Sequence, residues 1–171
     1  ELYLPAASAS VVWKALLEAG AGHGLIPAGL GARDSLRLEM GYALYGNDLD
    51  EDHTALESGL GWIVKLGVGE FVGRGALARQ KEEGVKVRLT GIRLEERGFP
   101  RPGYPLVSGD EDIGTVTSGV LSPSLGYGVA LGYVPTALAS AGTSIGVRIR
   151  GDVVPGVIQR PPFFTGGSVK R

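Results

Sequence analysis

The residues that could do chemistry in this chain are few. There is no cysteine, and only two histidines, His23 and His53. Thiolate nucleophiles, disulfides and Cys-based zinc or iron–sulfur sites are therefore excluded. The two imidazoles lie far apart in sequence without H-E-x-x-H spacing, and read as ordinary surface or core histidines. No G-x-S-x-G elbow is present, so a hydrolytic triad is not visible. Gly67, Gly69 and Gly73 form a glycine run before an expected helix. Its spacing is one residue too long for a dinucleotide fingerprint, and Glu70 puts a carboxylate where a phosphate would sit. A strand-to-helix turn is the expectation there. The acidic stretch Asp48, Asp50, Glu51, Asp52 lacks the glycine and glutamate that a calcium loop needs at its sixth and twelfth positions, and reads as a solvated loop.

Arg33 and Arg37 remain. Arg33 falls in the first turn of an expected helix, where the macrodipole disfavours a cation by about 0.3–1 kcal/mol, and Arg37 follows four residues later on the same face. Something must offset that arrangement. Asp34 can pair with Arg37 at i, i+3, or Arg33 can reach an anionic or polar ligand through its planar fork. Spacing alone leaves both readings open. Glu39 lies nearby in sequence but on another face. Tyr42 and Tyr45, just past the helix end, are expected to pack into the core.

The elements that must position these groups divide into two kinds. Ser8 or Ser10 can cap a helix through Ala19, with Val12, Trp13, Leu16 and Leu17 at helical spacing. A second helix is expected over Ala32 to Met40, stopped by Gly41. A buried strand is expected over Trp62 to Leu66, and a helix over Val72 to Glu83. From Val85 onward, short apolar runs recur between Gly, Pro and Ser clusters: Val85 to Leu94, Ile113 to Val120, Val129 to Val134, Ile145 to Ile149 and Val153 to Ile158. That is the pattern of an antiparallel sandwich or barrel. The 29 glycines, about one residue in six, supply its turns. The boundary is placed near Gly69, giving domains 1–69 and 70–171. The first is short of strands for a self-contained α/β domain, and the chain opens at Glu1 without Met; both features suggest a piece of a longer protein.

Composition bounds the partners. Lys+Arg 17 against Asp+Glu 18 gives a net charge of -1, which offers no global field for nucleic acid or acidic lipid. No apolar run approaches the ~20 residues that span a bilayer. The absence of cysteine favours the cytoplasm.

Several motifs, in order, resemble one family. GLGARDSLRLEMGYALYGNDLDED, ESGLGWIVKL, FVGRGAL, RGFPRPGYPLV, IGTVTSGVLSPSLG, VALGYVP and PPFFTGGSVKR together look like the T-protein of the glycine cleavage system, the aminomethyltransferase family. The resemblance covers nearly the whole chain and implies its C-terminal half. The implied fold is α+β: the C-terminal portion of an α/β folate-binding domain, then a jelly-roll-like antiparallel β-barrel. The implied reaction moves a methylene group from the aminomethyl-lipoyl arm of the carrier H-protein to tetrahydrofolate, a co-substrate, releasing ammonia. A folate nitrogen is the nucleophile, so the resemblance implies no metal. The family's catalytic carboxylate belongs to the other half, so no catalytic residue is expected here. The positions that match folate-pocket residues are Arg33 and Tyr42, with Lys170 in the basic tail as a further match. The partners implied are the lipoylated H-protein and the missing N-terminal half of the same protein, in the cytoplasm, or the mitochondrion of a eukaryote.

Two alternatives share the scaffold. One is the folate-binding C-terminal portion of a dimethylglycine or sarcosine dehydrogenase, which an upstream flavin motif would reveal. The other is a non-catalytic folate-binding accessory protein. Separated from its first half, the chain is expected to leave an unpaired sheet edge and exposed apolar surface.

Overall fold

The structure is a computed structural model that describes residues 1–167. It separates into two compact units, Glu1–Arg33 and Asp34–Arg171. The first unit holds helix α1 (Ala9–Gly20), short 3-10 turns at Ala6–Ser8 and Ala21–His23, and the start of helix α2 (Leu30–Glu39). The helical periodicity of α1 is as expected, but none of its residues is buried: Val11, Trp13 and Leu16 are all exposed.

The second unit is built on six antiparallel strands, β1 (Val87–Leu94), β2 (Pro105–Ser108), β3 (Glu111–Leu121), β4 (Gly128–Pro135), β5 (Ser144–Ile149) and β6 (Asp152–Ile158). They close into a barrel in the order β1-β4-β3-β2-β5-β6, with β6 pairing back onto β1. Closure leaves each of the six strands paired on both sides, so the barrel presents no open sheet edge among the described residues. The expected exposed apolar surface is present. Five of the strands match the apolar runs in the sequence. The sixth, β2, has only four residues, opens at Pro105 and lies between Gly103 and Gly109, too short to show a period.

Alternation along β4 explains why its apolar run is continuous. Ala130 and Val134 point into the barrel, where they meet Ile92, Leu106, Val116 and Val147. Val129 and Leu131 point outward, where Leu38 of α2 and Phe163 cover them. Leu38 is fully buried in this outer layer, a contribution of about 2 kcal/mol.

Two further expectations are corrected. Residues 62–66 are not a buried strand. Gly61–Ile63 form a 3-10 turn closed by Ile63 N–H donating to the Leu60 carbonyl, and Trp62 is 73% exposed. No strand pairs with this segment among the described residues; the Ile63 and Val64 N–H groups donate instead to the Leu60 and Gly61 carbonyls. Helix α3 (Arg74–Glu83) starts two residues later than expected, after Gly73 in the left-handed region at φ +88°. No helix is long and apolar enough to cross a membrane among the described residues.

Candidate functional site

The C-terminus of α2 sets the site. Gly41, at φ +69°, ends the helix: its N–H donates to the Leu38 carbonyl and the Tyr42 N–H donates to the Arg37 carbonyl, both at 2.8 Å. This paired closure is the Schellman pattern, and it reverses the chain at Tyr42. Tyr42 emerges 60% exposed at the edge of a groove of about 500 Å³, whose lining includes Leu60, Trp62, Leu89, Leu131 and Pro161. Neither Tyr42 nor Tyr45 is in the core, because the turn carries both rings away from the barrel.

Beneath the groove lies a buried ionic network centred on Asp48, which is fully buried. Its Oδ2 accepts from Arg37 Nη1 at 2.7 Å, from the Leu44 N–H at 2.9 Å and from Ser118 Oγ at 2.9 Å. Its Oδ1 accepts from the Thr117 hydroxyl. Arg37 also donates from Nε to Asp34 at 2.7 Å, from Nη2 to Ser118 Oγ at 2.8 Å and from Nη1 to the Tyr42 carbonyl at 3.3 Å. Arg37 therefore holds the Tyr42 peptide while Asp48 holds Arg37. The Asp34 pairing expected from i, i+3 spacing is present. The reading of Asp48 as part of a solvated loop is wrong: Thr117 and Ser118 of β3 draw it under the turn, leaving Asp50, Glu51 and Asp52 on the outside.

The backbone carbonyl of Asp48 accepts from the Tyr133 hydroxyl at 2.9 Å, and that oxygen lies 2.8 Å from Ser58 Oγ, which lines the groove. Burial pushes the Tyr133 phenol up; the Ser58 hydrogen bond opposes this, and the carboxylates of Asp50, Asp48 and Glu57 add to it. At neutral pH the phenol keeps its proton and serves as a hydrogen-bonding strut. The His53 ring stacks on Tyr133 at 3.7 Å between centroids. Its Nδ1 sits 2.9 Å from Asp50 Oδ1, and this hydrogen bond is the main cause that lowers the Asp50 carboxyl below its ordinary value. At Glu57 burial works upward, but hydrogen bonds from the Thr54 N–H and hydroxyl and from Gln80, with the His53 charge, outweigh it and leave the carboxyl lowered.

A second buried carboxylate, Glu39, faces the β3–β4 connection as its position on another face of α2 implies. Its Oε1 accepts from the Ser122 hydroxyl and Oε2 from Ser124 Oγ at 2.8 Å, while its carbonyl accepts from the Phe163 and Phe164 N–H groups. Both buried carboxylates are surrounded by donors. The arrangement therefore holds and orients side chains.

The depressed Asp50 carboxyl gives a pH prediction. A group lowered by folding contributes stability that is present above its unfolded pKa and lost as pH falls through the folded value. His53→Phe keeps the ring stack but removes Nδ1. By carboxyl-carbon NMR the Asp50 midpoint is expected to rise toward its ordinary value of 3.8. The stability gap between the two proteins should close on acidification through the carboxylate range. An unmoved midpoint would refute the link.

Of the sequence-expected site residues, Arg33 falls in the first unit and Tyr42 in the second. Arg33 is exposed, and its side chain makes no hydrogen bond or ion pair among the described residues. Lys170 lies outside the described residues. No group of three or more His, Asp or Glu side chains is placed to hold a metal ion among the described residues. Sequence reading missed the Arg37–Asp48–Ser118 centre. The signal available was the LYGND and IGTVTSG pair, which supplies its acid and both its hydroxyls.

Comparison with known proteins agrees with this architecture. Residues 1–67 match the family described as the GCVT N-terminal domain, and residues 88–165 the one described as the glycine cleavage T-protein C-terminal barrel domain. An aminomethyltransferase of Halothermothrix orenii is 51% identical over 164 residues, covering 96% of this chain and 46% of that protein. One from Bacteroides thetaiotaomicron is 48% identical over 165 residues, with 95% and 46% covered. The crystal structure of the glycine cleavage system aminomethyltransferase T from Bartonella henselae superposes with a TM-score of 0.84 at 34% identity, covering 94% of this chain and 45% of that one. The chain thus spans about half the length of the curated relatives it matches. With both domain types matched in order and the barrel reproduced, the chain belongs to the glycine cleavage T-protein family, the aminomethyltransferases.

Proposed function

We propose that this chain is the folate-contributing and barrel portion of a cytoplasmic aminomethyltransferase, with its folate-domain segment over 1–69 and the barrel domain over 70–171. The reaction transfers a methylene group from aminomethyl-dihydrolipoyl H-protein to tetrahydrofolate with release of ammonia. The observation that carries this reading is the continuous similarity over 96% of the chain to a protein named aminomethyltransferase.

The residues present suit a folate as co-substrate. The groove at Tyr42 has a volume within the usual range for small-molecule sites, and its wall is largely apolar, with two aromatic side chains, Tyr42 and Trp62. Such a wall suits a flat heteroaromatic ring. Arg33, with its guanidinium unpaired among the described residues, is suited to a carboxylate or polar edge. Tetrahydrofolate supplies the nucleophilic nitrogen when bound. This chain's part is to bind and orient it, with Arg37 and Asp48 fixing the Tyr42 peptide.

The test supplies the chain with the remaining portion of the Halothermothrix orenii relative and follows tetrahydrofolate-dependent ammonia release. Activity is expected only with both parts. Arg33→Ala should raise the KM for tetrahydrofolate by about 10- to 100-fold, the value of one hydrogen bond to a charged group. Arg33→Lys should recover only part, because a point charge does not reproduce the fork. An unchanged KM in Arg33→Ala would remove that residue from the folate site, and absence of transfer from an intact, folded pair would reject the activity.

A further inference from the structure

Among the residues lining the groove at Tyr42, polar side chains belong to Tyr42, Trp62, Thr90 and Ser58. Tyr42 and Trp62 are exposed and Thr90 is half-buried, whereas Ser58 is only 8% exposed. An indole N–H can only donate. The Tyr42 and Thr90 hydroxyls have no partner among the described residues, so each can turn to donate or to accept. Ser58 differs from all three, because its one proton is already claimed by the protein.

The claim follows from counting protons. Ser58 Oγ lies 2.9 Å from the Thr54 carbonyl and 2.8 Å from Tyr133 Oη, and Tyr133 Oη lies 2.9 Å from the Asp48 carbonyl. Two hydroxyl protons serve these three contacts. The Thr54 carbonyl already accepts from the Ser58 N–H at 3.0 Å, but the Asp48 carbonyl has Tyr133 as its only donor among the described residues. The order that leaves no acceptor orphaned therefore runs from Ser58 Oγ–H to Tyr133 Oη, and from Tyr133 Oη–H to the Asp48 carbonyl. In the reverse order Tyr133 donates to Ser58 and Ser58 to Thr54, which spends the Ser58 proton just the same. Turning that proton into the groove would strip the Asp48 carbonyl of its donor or set two lone pairs against each other at 2.8 Å. Toward the groove, Ser58 is an acceptor only.

We propose that Ser58 is a specificity-determining residue of this groove, its hydroxyl oxygen accepting a hydrogen bond from the amino and N–H edge of a bound pteridine ring. The inference rests on the folate reading and adds to it the contact that orients the ring. A ligand that enters the groove displaces the water on Ser58 Oγ, and the lost hydrogen bond is restored only if the ligand brings a donor. The pteridine of tetrahydrofolate carries an amino group beside a ring N–H at the end opposite its tail. The tail must leave toward solvent, so the buried acceptor meets that donor edge. A ring of the same outline without these donors would leave Ser58 Oγ unpaired, and a site built to bond an N–H rejects such an analogue more strongly than lost contact area alone would.

The test measures equilibrium binding by calorimetry to the chain reconstituted with the remaining portion of the Halothermothrix orenii relative. Its probes are tetrahydrofolate and two isosteric analogues, one with methyl in place of the ring amino group and one with C–H in place of the adjacent ring N–H. The parent protein should bind at least one analogue about 10-fold or more weakly than tetrahydrofolate. Ser58→Ala should bind tetrahydrofolate about 10-fold more weakly and shrink that gap to within about twofold, a ligand-by-variant coupling that a purely structural loss would not produce. Tyr133→Phe leaves Ser58 Oγ in the groove with its proton on the Thr54 carbonyl, so stability should fall while the gap persists. Equal binding of all three ligands by the parent, a gap that survives Ser58→Ala, or a gap abolished by Tyr133→Phe would each overturn the Ser58 contact while leaving the folate reading in place. Failure of the intact, folded pair to bind tetrahydrofolate would reject the folate reading itself and the Ser58 contact with it.

Discussion

Asp48→Ala is expected to destabilise the protein by about 3–5 kcal/mol, the cost of removing one partner from a buried ion pair. The size follows from what the substitution leaves behind. Asp48 is fully buried, and the Arg37 side chain it faces is only 10% exposed, so the guanidinium would keep only Asp34, itself 47% exposed, as a charged partner, beside the neutral Ser118 hydroxyl and Tyr42 carbonyl. The Leu44 N–H and the Thr117 and Ser118 hydroxyls would lose their common acceptor. Against a total stability of about 5–15 kcal/mol this is a large fraction, and the urea midpoint should fall by on the order of 2 M. Asp48→Asn, which keeps the volume and one acceptor oxygen, should cost less. Arg37→Met together with Asp48→Ala should cost less than the sum of the two, by at least about 1 kcal/mol, because neither charge then remains buried alone. Because Arg37 also binds the Tyr42 carbonyl, Asp48→Ala should raise the KM for tetrahydrofolate in the reconstituted protein even below the melting range. A loss under about 1 kcal/mol with additive double-variant energetics would mean that water enters and solvates the site.

Legibility in the sequence followed physical range. Strands buried on at least one face announced themselves through short apolar runs between turn residues, and the helix that carries Arg33 and Arg37, expected over Ala32 to Met40 with Gly41 as its stop, runs over Leu30–Glu39, two residues earlier at its start. Local pairing was legible too: Asp34 and Arg37 meet at i, i+3 as their spacing requires. What failed was everything decided at long range. Asp48 reads as one more acid in a polar loop, and only β3, some 70 residues later, turns it into a buried hub. Tyr42 and Tyr45 read as core because aromatic rings favour burial, yet the glycine-closed helix end directs both outward. The segment at Trp62 reads as a strand from its apolar residues alone, and a strand needs a neighbour that the fold does not supply there. The apolar runs left sandwich and barrel both open and only the family resemblance implied the barrel, since β2 is too short for a period and closure depends on β6 returning to β1.

Gly41→Ala is expected to cost about 3 kcal/mol or more, from two separable sources. The first is conformational: at φ +69° an L-residue with a side chain is strained by roughly 1–3 kcal/mol. The second is steric. A Cβ at Gly41 would fall 2.1 Å from Pro161 Cβ and 2.5 Å from its Cγ, and a proline ring cannot rotate away as a flexible side chain would. Nor can its backbone drift freely, because the Gln159 N–H is tied to the Gly91 carbonyl and the Phe163 N–H to the Glu39 carbonyl. Relieving the overlap forces a shift of the kind that costs about 1–3 kcal/mol in a packed region. The two sources respond to different changes. Gly41→Asn tolerates the left-handed backbone better than alanine but keeps the clash, whereas Gly41→Ala combined with Pro161→Gly removes the clash and keeps the strain. Each should therefore recover part of the loss and neither all of it, as read from denaturant midpoints. Gly41, Tyr42 and Pro161 all line the groove, so the shift should also distort the proposed folate site, and on that proposal KM should respond together with stability. A Gly41→Ala protein within 1 kcal/mol of the parent would show that the helix end and Pro161 are not in contact, and with that the account of how Tyr42 reaches the groove would fail.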